Sequence, residues 1–434
     1  MKRTDYSKTG KVALKKEIFS VMFITENDNI LFNNADIQEI LFIEDIFKFC
    51  MSGTITFTDR YNMLEYGPYT GNEKIVLMYS IGRKTRELVF DIWKMDKIQM
   101  SGAGINEAVE NMITLHFVDP FFAGLNLRRY SRSWTDTRFS DIMRDILNNM
   151  AFYKEANRKF NIEQSTNKTD FVMPYWIPQT AIRWLARRAI GSRSGTSGYL
   201  CFNNTREGLQ HNLVTFNYLL EDVDRTLDKV TYKFQDPEVS AENKILEWWM
   251  NGIDRTSNNV IRGGVWKGYD INTKKLLNFD HIYSKGADKT VMLGRKTLYP
   301  QMDDTFSSNV VIGDNSNELL ENIAYNDWAK RYNLQLIVNL IVEGDEKRYA
   351  GQHIDIEWPS MFRTGDKVLY NDLFRGKYLI KSVTHSFSPS TILQYRQRLV
   401  CIKNAYHNAK SKILYKAKNT NLYQEGDVQQ IIRR

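Results

Sequence analysis

Met51-Ser-Gly-Thr-Ile-Thr-Phe-Thr-Asp59 is the stretch on which the fold turns. Ile55 and Phe57 alternate with Thr54, Thr56 and Thr58, which gives a strand with one apolar and one wet face. A turn follows, and Glu73-Lys-Ile-Val-Leu-Met-Tyr79 continues the theme through Ile75, Leu77 and Tyr79. Near the other end stand Gly376-Lys-Tyr-Leu-Ile-Lys-Ser-Val-Thr-His-Ser-Phe387 and a second extended run from Thr391 to Tyr406. Neither end carries a catalytic constellation. Both read as walls of β-barrels built to pack against other barrels.

Outward from Met51, residues 1–16 are polar and basic and read as a flexible arm. From Glu17 to Asp119 strand follows strand, with Gly53, Gly67-Pro68, Gly71 and Gly82 read as turn points. That density of strands predicts a barrel or sandwich. After Pro120 the pattern changes. Phe139, Ile142, Met143, Ile146, Leu147 and Met150 form the stripe of an amphipathic helix, with Thr135 or Thr137 as its cap. A second helix starts at Pro178, runs through Ile182, Leu185 and Ala189, and stops at Gly191. Tyr199–Phe202 reads as a strand, and Ile245–Met250 as a helical turn or more. A helix over Asn317–Tyr332 feeds the cleanest alternation in the chain, Leu334, Leu336, Val338, Leu340 and Val342.

With 42% hydrophobic and 13% aromatic residues, the 434-residue chain is folded rather than disordered and has room for two or three domains. Its net charge of +8 fits nucleic-acid contact, an acidic protein neighbour or simple solubility. Cations cluster at Arg128, Arg129, Arg132, Arg138 and Arg144, and again at Arg183, Arg187, Arg188 and Arg193. Lys403, Lys410, Lys412, Lys416 and Lys418 form a third, acid-free run in the tail. Such runs are solvated faces or seats for an acidic partner. Cys50, Cys201 and Cys401 lie far apart with no CxxC, which argues against a disulfide scaffold or zinc ribbon and for synthesis in a reducing cytoplasm. No apolar region follows Met1-Lys-Arg, so no signal peptide is expected. The longest apolar run, Leu334–Val342, is too short to span a bilayer.

Tests for chemistry return little. The six histidines are His116, His211, His281, His353, His385 and His407, and none has a second within four residues. His116 and His385 fall inside strands and read as structural. Asp303-Asp304 and the turn Glu343-Gly-Asp-Glu346 show no spacing that establishes a two-carboxylate cleft. No GxSxG, HExxH or Cys/His signature is present. Gly-Arg-Lys-Thr occurs at Gly82 and Gly294 but lacks the spacing of a phosphate loop. Cations interleave with aromatics at Arg128-Arg-Tyr-Ser-Arg132 and Arg183-Trp184, on or near helices, without a recognised nucleic-acid motif. No catalytic, cofactor-binding or metal-binding residue is assigned.

The order of the elements carries a resemblance. Ser52-Gly-Thr-Ile-Thr-Phe-Thr-Asp59 and Gly71-Asn-Glu-Lys-Ile-Val-Leu77 come first, then the two helices, then Gly198-Tyr-Leu-Cys-Phe-Asn203. Gly351-Gln-His-Ile-Asp-Ile-Glu-Trp-Pro359 and Gly376–His385 follow, then Tyr395 to Ala405. This order, over roughly residues 17–406, resembles the baseplate hub proteins of contractile-tailed, T-even-like phages. Related hub domains occur in the spike proteins of type VI secretion systems.

The resemblance implies an α+β, β-dominated fold: two tail-tube-like antiparallel β-barrel domains with helical and α/β insertions. The first would be 17–122. Residues 123–222 would join the second, 334–402 would complete it, and 223–333 would be a peripheral insertion. Residues 403–434 would be a basic polar tail, with Lys403, Lys410, Lys412, Lys416 and Lys418 as candidate partner contacts. The implied role is non-enzymatic, a homotrimer adapting a sixfold tail tube to a threefold central spike. The tube or tube-initiator proteins, baseplate wedge proteins and the tape measure protein would be further partners. DNA would be met only in transit, and no cofactor is implied. The location would be the virion tail baseplate, assembled in the host cytoplasm. A tail-associated cell-wall hydrolase and a receptor- or glycan-binding β-module are the alternatives.

Overall fold

A computed structural model describes residues 18–25, 29–59, 70–80, 85–100, 110–151, 159–206, 208–221, 231–233, 243–251, 263–270, 273–282, 293, 296–297, 308–312, 317–364, 367–371, 374–389 and 394–406. The first seven strands are β1 (Ile18–Ile24), β2 (Asn29–Leu31), β3 (Ile37–Asp45), β4 (Ser52–Thr58), β5 (Lys74–Ser80), β6 (Arg86–Met100) and β7 (Glu110–Val118). Next come helix α1 (Phe121–Asn126), β8 (Tyr130–Arg138), α2 (Phe139–Asn149), β9 (Lys159–Ile162), β10 (Lys168–Trp176) and α3 (Pro178–Ala186). Then follow β11 (Tyr199–Asn204), β12 (Gln210–Thr215), α4 (Phe216–Glu221), β13 (Thr231–Lys233), β14 (Ile245–Met250), β15 (Gly263–Asp270), β16 (Lys275–Ile282), β17 (Lys296–Thr297) and β18 (Ser308–Ile312). The chain ends with α5 (Asn317–Tyr332), β19 (Leu336–Glu343), β20 (His353–Glu357), β21 (Pro359–Thr364), β22 (Lys367–Tyr370), β23 (Gly376–Ser388), β24 (Gln394–Lys403) and β25 (Ala405–Tyr406).

The alternation in β4 places its side chains as expected. Ile55 and Phe57 are buried, while Thr56 meets Thr114 of β7 hydroxyl to hydroxyl at 3.1 Å. Gly53 is not a turn; it lies inside β4, paired with Phe42 and Phe117. A Cβ there would stand 2.1 Å from the Leu41 carbonyl oxygen and 2.6 Å from the Phe117 ring, so the close approach of three strands requires glycine.

The two ends of the chain meet in one sheet. β3 pairs antiparallel with β23, with Phe42 opposite His385. The resulting 13-stranded sheet runs β14-β19-β24-β23-β3-β4-β7-β6-β5-β1-β2, with β20 joined to β23 and β13 to β20. β2 and β14 end that path, and no closed barrel is traced among the described residues. The fold is β-dominated, with a large mainly antiparallel sheet and helices packed beside it.

Two apolar cores lie along this sheet. One is built from β1 to β7, with Phe42, Phe57, Tyr79 and Phe90 among its rings, and takes in Phe387 and Tyr395 from β23 and β24. The other gathers Val338, Leu340, Ile356, Tyr378, Val383 and Leu399, with Tyr232 of β13 and Ile245 of β14. Fully burying one such side chain contributes about 1.5–3 kcal/mol. Ile245–Met250 is therefore a strand and not a helical turn. β19 supplies a ladder of hydrogen-bonding partners, and that tertiary pairing overrides local preference. It also follows that β13 and β14, from the segment read as a peripheral insertion, contribute to this second core.

α2 buries Ile142, Met143, Ile146 and Leu147 as its stripe predicted. Its cap differs from expectation. Thr135 and Thr137 lie in β8, where Thr137 pairs with Thr169. The Ser140 N–H instead donates to Ser165 Oγ at 3.0 Å, and the Ser165 N–H donates to Ser140 Oγ at 3.0 Å. For the same reason Arg132 sits on a strand, beyond the end of α1. α3 begins on Pro178 and buries Ile182 and Leu185. In α5, Trp328 and Tyr332 stack with ring centroids 4.5 Å apart.

Candidate functional site

A buried polar constellation sits at the β3–β23 seam. It starts from one residue, Glu44. In β3, Ile40, Phe42 and Glu44 share a face, so the strand that buries two apolar side chains buries a carboxylate with them. Glu44 accepts from Thr205 Oγ1 at 2.6 Å and from the Ala350 N–H at 3.0 Å. Its Oε1 also lies 3.1 Å from His385 Nε2. The seam is thus pinned from β3, β23, the loop after β11 and the loop after β19.

The network extends from His385. Its ring stacks on Phe42 with centroids 4.2 Å apart. Nδ1 faces the Tyr395 hydroxyl at 2.8 Å. With Nε2–H donating to the Glu44 carboxylate, Nδ1 accepts from the Tyr395 hydroxyl, so the network assigns the tautomer. Gln397 donates to the Tyr395 hydroxyl at 2.7 Å and to the Asp345 carbonyl at 2.9 Å. Its own carbonyl accepts from the Asp345 N–H at 3.1 Å and from Arg348 Nη1 at 2.8 Å. Arg348 also donates to the Tyr232 hydroxyl and the Glu343 carbonyl. Arg86 of β6 reaches across to the Thr205 and Glu346 carbonyls. The Glu343–Glu346 turn is therefore tied into the seam. Burial drives the Tyr395 and Tyr79 hydroxyls above the ordinary tyrosine value, so both stay protonated.

A carboxylate, an imidazole and a phenol in line could move a proton. The side chains of Glu44 and His385 are 0% and 1% exposed, so no substrate reaches them. The arrangement works as a clamp that aligns the two halves of the sheet. His116 is also structural, with Nε2 2.8 Å from Asp96 Oδ2. Among the described residues no group of His, Cys, Asp or Glu side chains gathers to hold a metal ion. No helix there is long and apolar enough to cross a membrane.

Of the predicted partner contacts, Lys403 departs from expectation. It ends β24 in phase with Leu399 and Cys401 and is buried. Its Nζ donates to the Arg375 carbonyl at 2.6 Å and lies 4.9 Å over the Tyr378 ring. Burial lowers its pKa to about 7, opposed by Asp355. A charge held inward does not greet a partner. Lys410, Lys412, Lys416 and Lys418 lie outside the described residues. The sequence reading did not single out Glu44, Gln397 or Arg348.

The outer surface offers strand edges instead. β14 ends one side of the sheet, with Trp248 edge-to-face on Trp358 at 4.8 Å and Arg398 over Trp249 at 4.8 Å. Three-residue β2 ends the other, with Leu31 66% exposed. Sheet edges of this kind pair with another chain unless covered.

No protein-family description matches this chain, and no curated protein matches it. Solved structures do. The tail protein from Neisseria meningitidis MC58 superposes with a TM-score of 0.54 at 9% identity, over 89% of this chain and 96% of that one. This chain shares the fold of that tail protein. The 43 kDa tail protein of prophage MuSo2 from Shewanella oneidensis gives 0.51 at 10% identity, over 88% of this chain and 98% of that one. A chain of the Francisella PdpA-VgrG complex aligns at a TM-score of 0.49 and 12% identity, over 92% of this chain and 60% of that one. The Neisseria and Shewanella chains are tail proteins.

Proposed function

We propose that this chain is a structural protein of a phage tail baseplate: a trimeric hub that adapts a sixfold tail tube to a threefold central spike and leaves a lumen for DNA. The observation that carries the proposal is the shared fold, which spans nearly the full length of both tail proteins. The packing supports it. One core is built mainly from β1–β7 and another from β19, β20, β23 and β24 with β13 and β14, and a buried clamp holds them in register. Side chains from residues 200–220 pack in a separate cluster against Ala350, Leu379 and Ile402 of the last segment. Two tube-like units per chain, 17–122 and 123–222 completed by 334–402, would let three subunits present six similar units around a ring. Residues 223–333 would lie outside that ring apart from β13 and β14.

The partners follow from the geometry of such an adaptor. Tube or tube-initiator subunits would stack on one face and the spike on the other, with wedge proteins at the rim and the tape measure protein in the lumen. Closed cyclic symmetry covers strand edges that are otherwise a liability. Electron microscopy of the purified chain tests the proposal. Annular particles with threefold symmetry and six-part modulation are expected; scattered single subunits at every concentration would reject it.

A further inference from the structure

One basic stretch has a geometry of its own. α5 packs on the end of α3: Asn326 donates to the Ala186 carbonyl and Asn322 to the Arg188 carbonyl, each at 3.4 Å. On this flank Arg183 and Arg187 stand four residues apart, on neighbouring turns of α3 and its C-terminus. Arg187 Nη2 reaches Asp327 Oδ2 at 3.0 Å, while its buried Nε makes no hydrogen bond among the described residues. Arg183 holds its guanidinium 5.2 Å over the Phe49 ring. Lys330 lies three residues beyond Asp327 on α5. Burial holds its ammonium below the usual lysine value; Asp327 pulls it up, and Arg187 and Arg183 push it further down. Arg187 pairs with Asp327, and Lys330 lies within electrostatic reach of Asp327, Arg187 and Arg183, so positive charge outnumbers negative in this group and an added anion is favoured.

We infer that this α3–α5 flank is a docking surface for an acidic protein segment, one carboxylate of which sits among Arg183, Arg187 and Lys330. Charge complementarity selects that occupant. The chain's own tail is excluded, because residues 407–434 hold Lys410, Lys412, Lys416, Lys418, Arg433 and Arg434 against only Glu425 and Asp427. A nucleic-acid backbone fits worse, since Asp327, paired with Arg187, repels a continuous row of phosphates. The inference rests on the helix flank alone and stands whether or not the chain is a tail hub.

The test uses the full chain and a fluorescent glutamate-rich peptide, followed by anisotropy at low and high salt. Binding that weakens with salt is expected. Arg183→Gln with Lys330→Gln should weaken it about tenfold, the scale of one lost charged hydrogen bond. Arg128→Gln with Arg129→Gln, in the other exposed basic stretch, should change it less than about twofold. A second readout needs no variant. Peptide binding should slow acetylation of Lys330 at neutral pH, because a bound carboxylate favours the ammonium form. Equal losses in both double variants, or an unchanged Lys330 rate with peptide bound, would overturn the inference. So would single-stranded DNA or inorganic phosphate protecting Lys330 better than the peptide does.

Discussion

Glu44→Ala is the sharpest perturbation of the clamp. The carboxylate accepts from Thr205 at 2.6 Å, from the Ala350 N–H at 3.0 Å and from His385 at 3.1 Å. Alanine strands all three donors in a site that is 0% exposed at Glu44. Each stranded buried donor costs about 1–3 kcal/mol. The three share one cavity and do not add fully, so the expected loss is about 3–5 kcal/mol, as for other broken buried ionic contacts. Against a typical total of about 5–15 kcal/mol this is a large share. Glu44→Gln keeps one acceptor oxygen but turns an amide N–H toward either Ala350 or the Thr205–His385 pair, and should lose about 1–3 kcal/mol. Glu39→Ala, at an exposed site on the same strand, should stay within about 0.5 kcal/mol. Urea unfolding, followed by fluorescence and circular dichroism, reads all three. If Glu44→Ala shifts the midpoint no more than Glu39→Ala, the seam is not held by this carboxylate and the clamp reasoning fails.

Lys403 gives stability a pH dependence. Its folded pKa of about 7 lies below the ordinary 10.5, so unfolding takes up a proton between those values and stability climbs as pH rises across that window; Lys403→Met should flatten the climb in calorimetry at stepped pH. Gly344→Ala places a Cβ 1.8 Å from the Tyr395 ring, so it should cost about 1–3 kcal/mol in urea unfolding and disturb the clamp's tyrosine. Burial raises the Cys201 thiol to about 12 and the Cys401 thiol higher still; both should resist a disulfide reagent until the chain unfolds, as thiol titration will show. The purified chain should leave no cleared band in a peptidoglycan zymogram, and a band would restore the hydrolase alternative.

What was legible in the sequence was the periodicity. Ile55 and Phe57, the α2 stripe and the β19 alternation all face where their spacing puts them, because period alone decides which side is buried. The β3–β23 pairing was not legible, since Glu44 and His385 stand 341 positions apart and no local pattern names a distant partner. Two further signals lie in the sequence pattern. Glu44 continues the phase of Ile40 and Phe42, and Lys403 that of Leu399 and Cys401. A charged residue in the apolar phase of a strand marks a buried polar contact rather than a surface. Arg348 had no such cue, because it lies in a loop whose burial depends on β24 packing above it.

The mass of the purified chain in solution at micromolar concentration tests the central claim most directly. A hub that closes its sheet edges against copies of itself predicts a species of three subunits that persists on dilution. A single-subunit mass across the whole concentration range would contradict it.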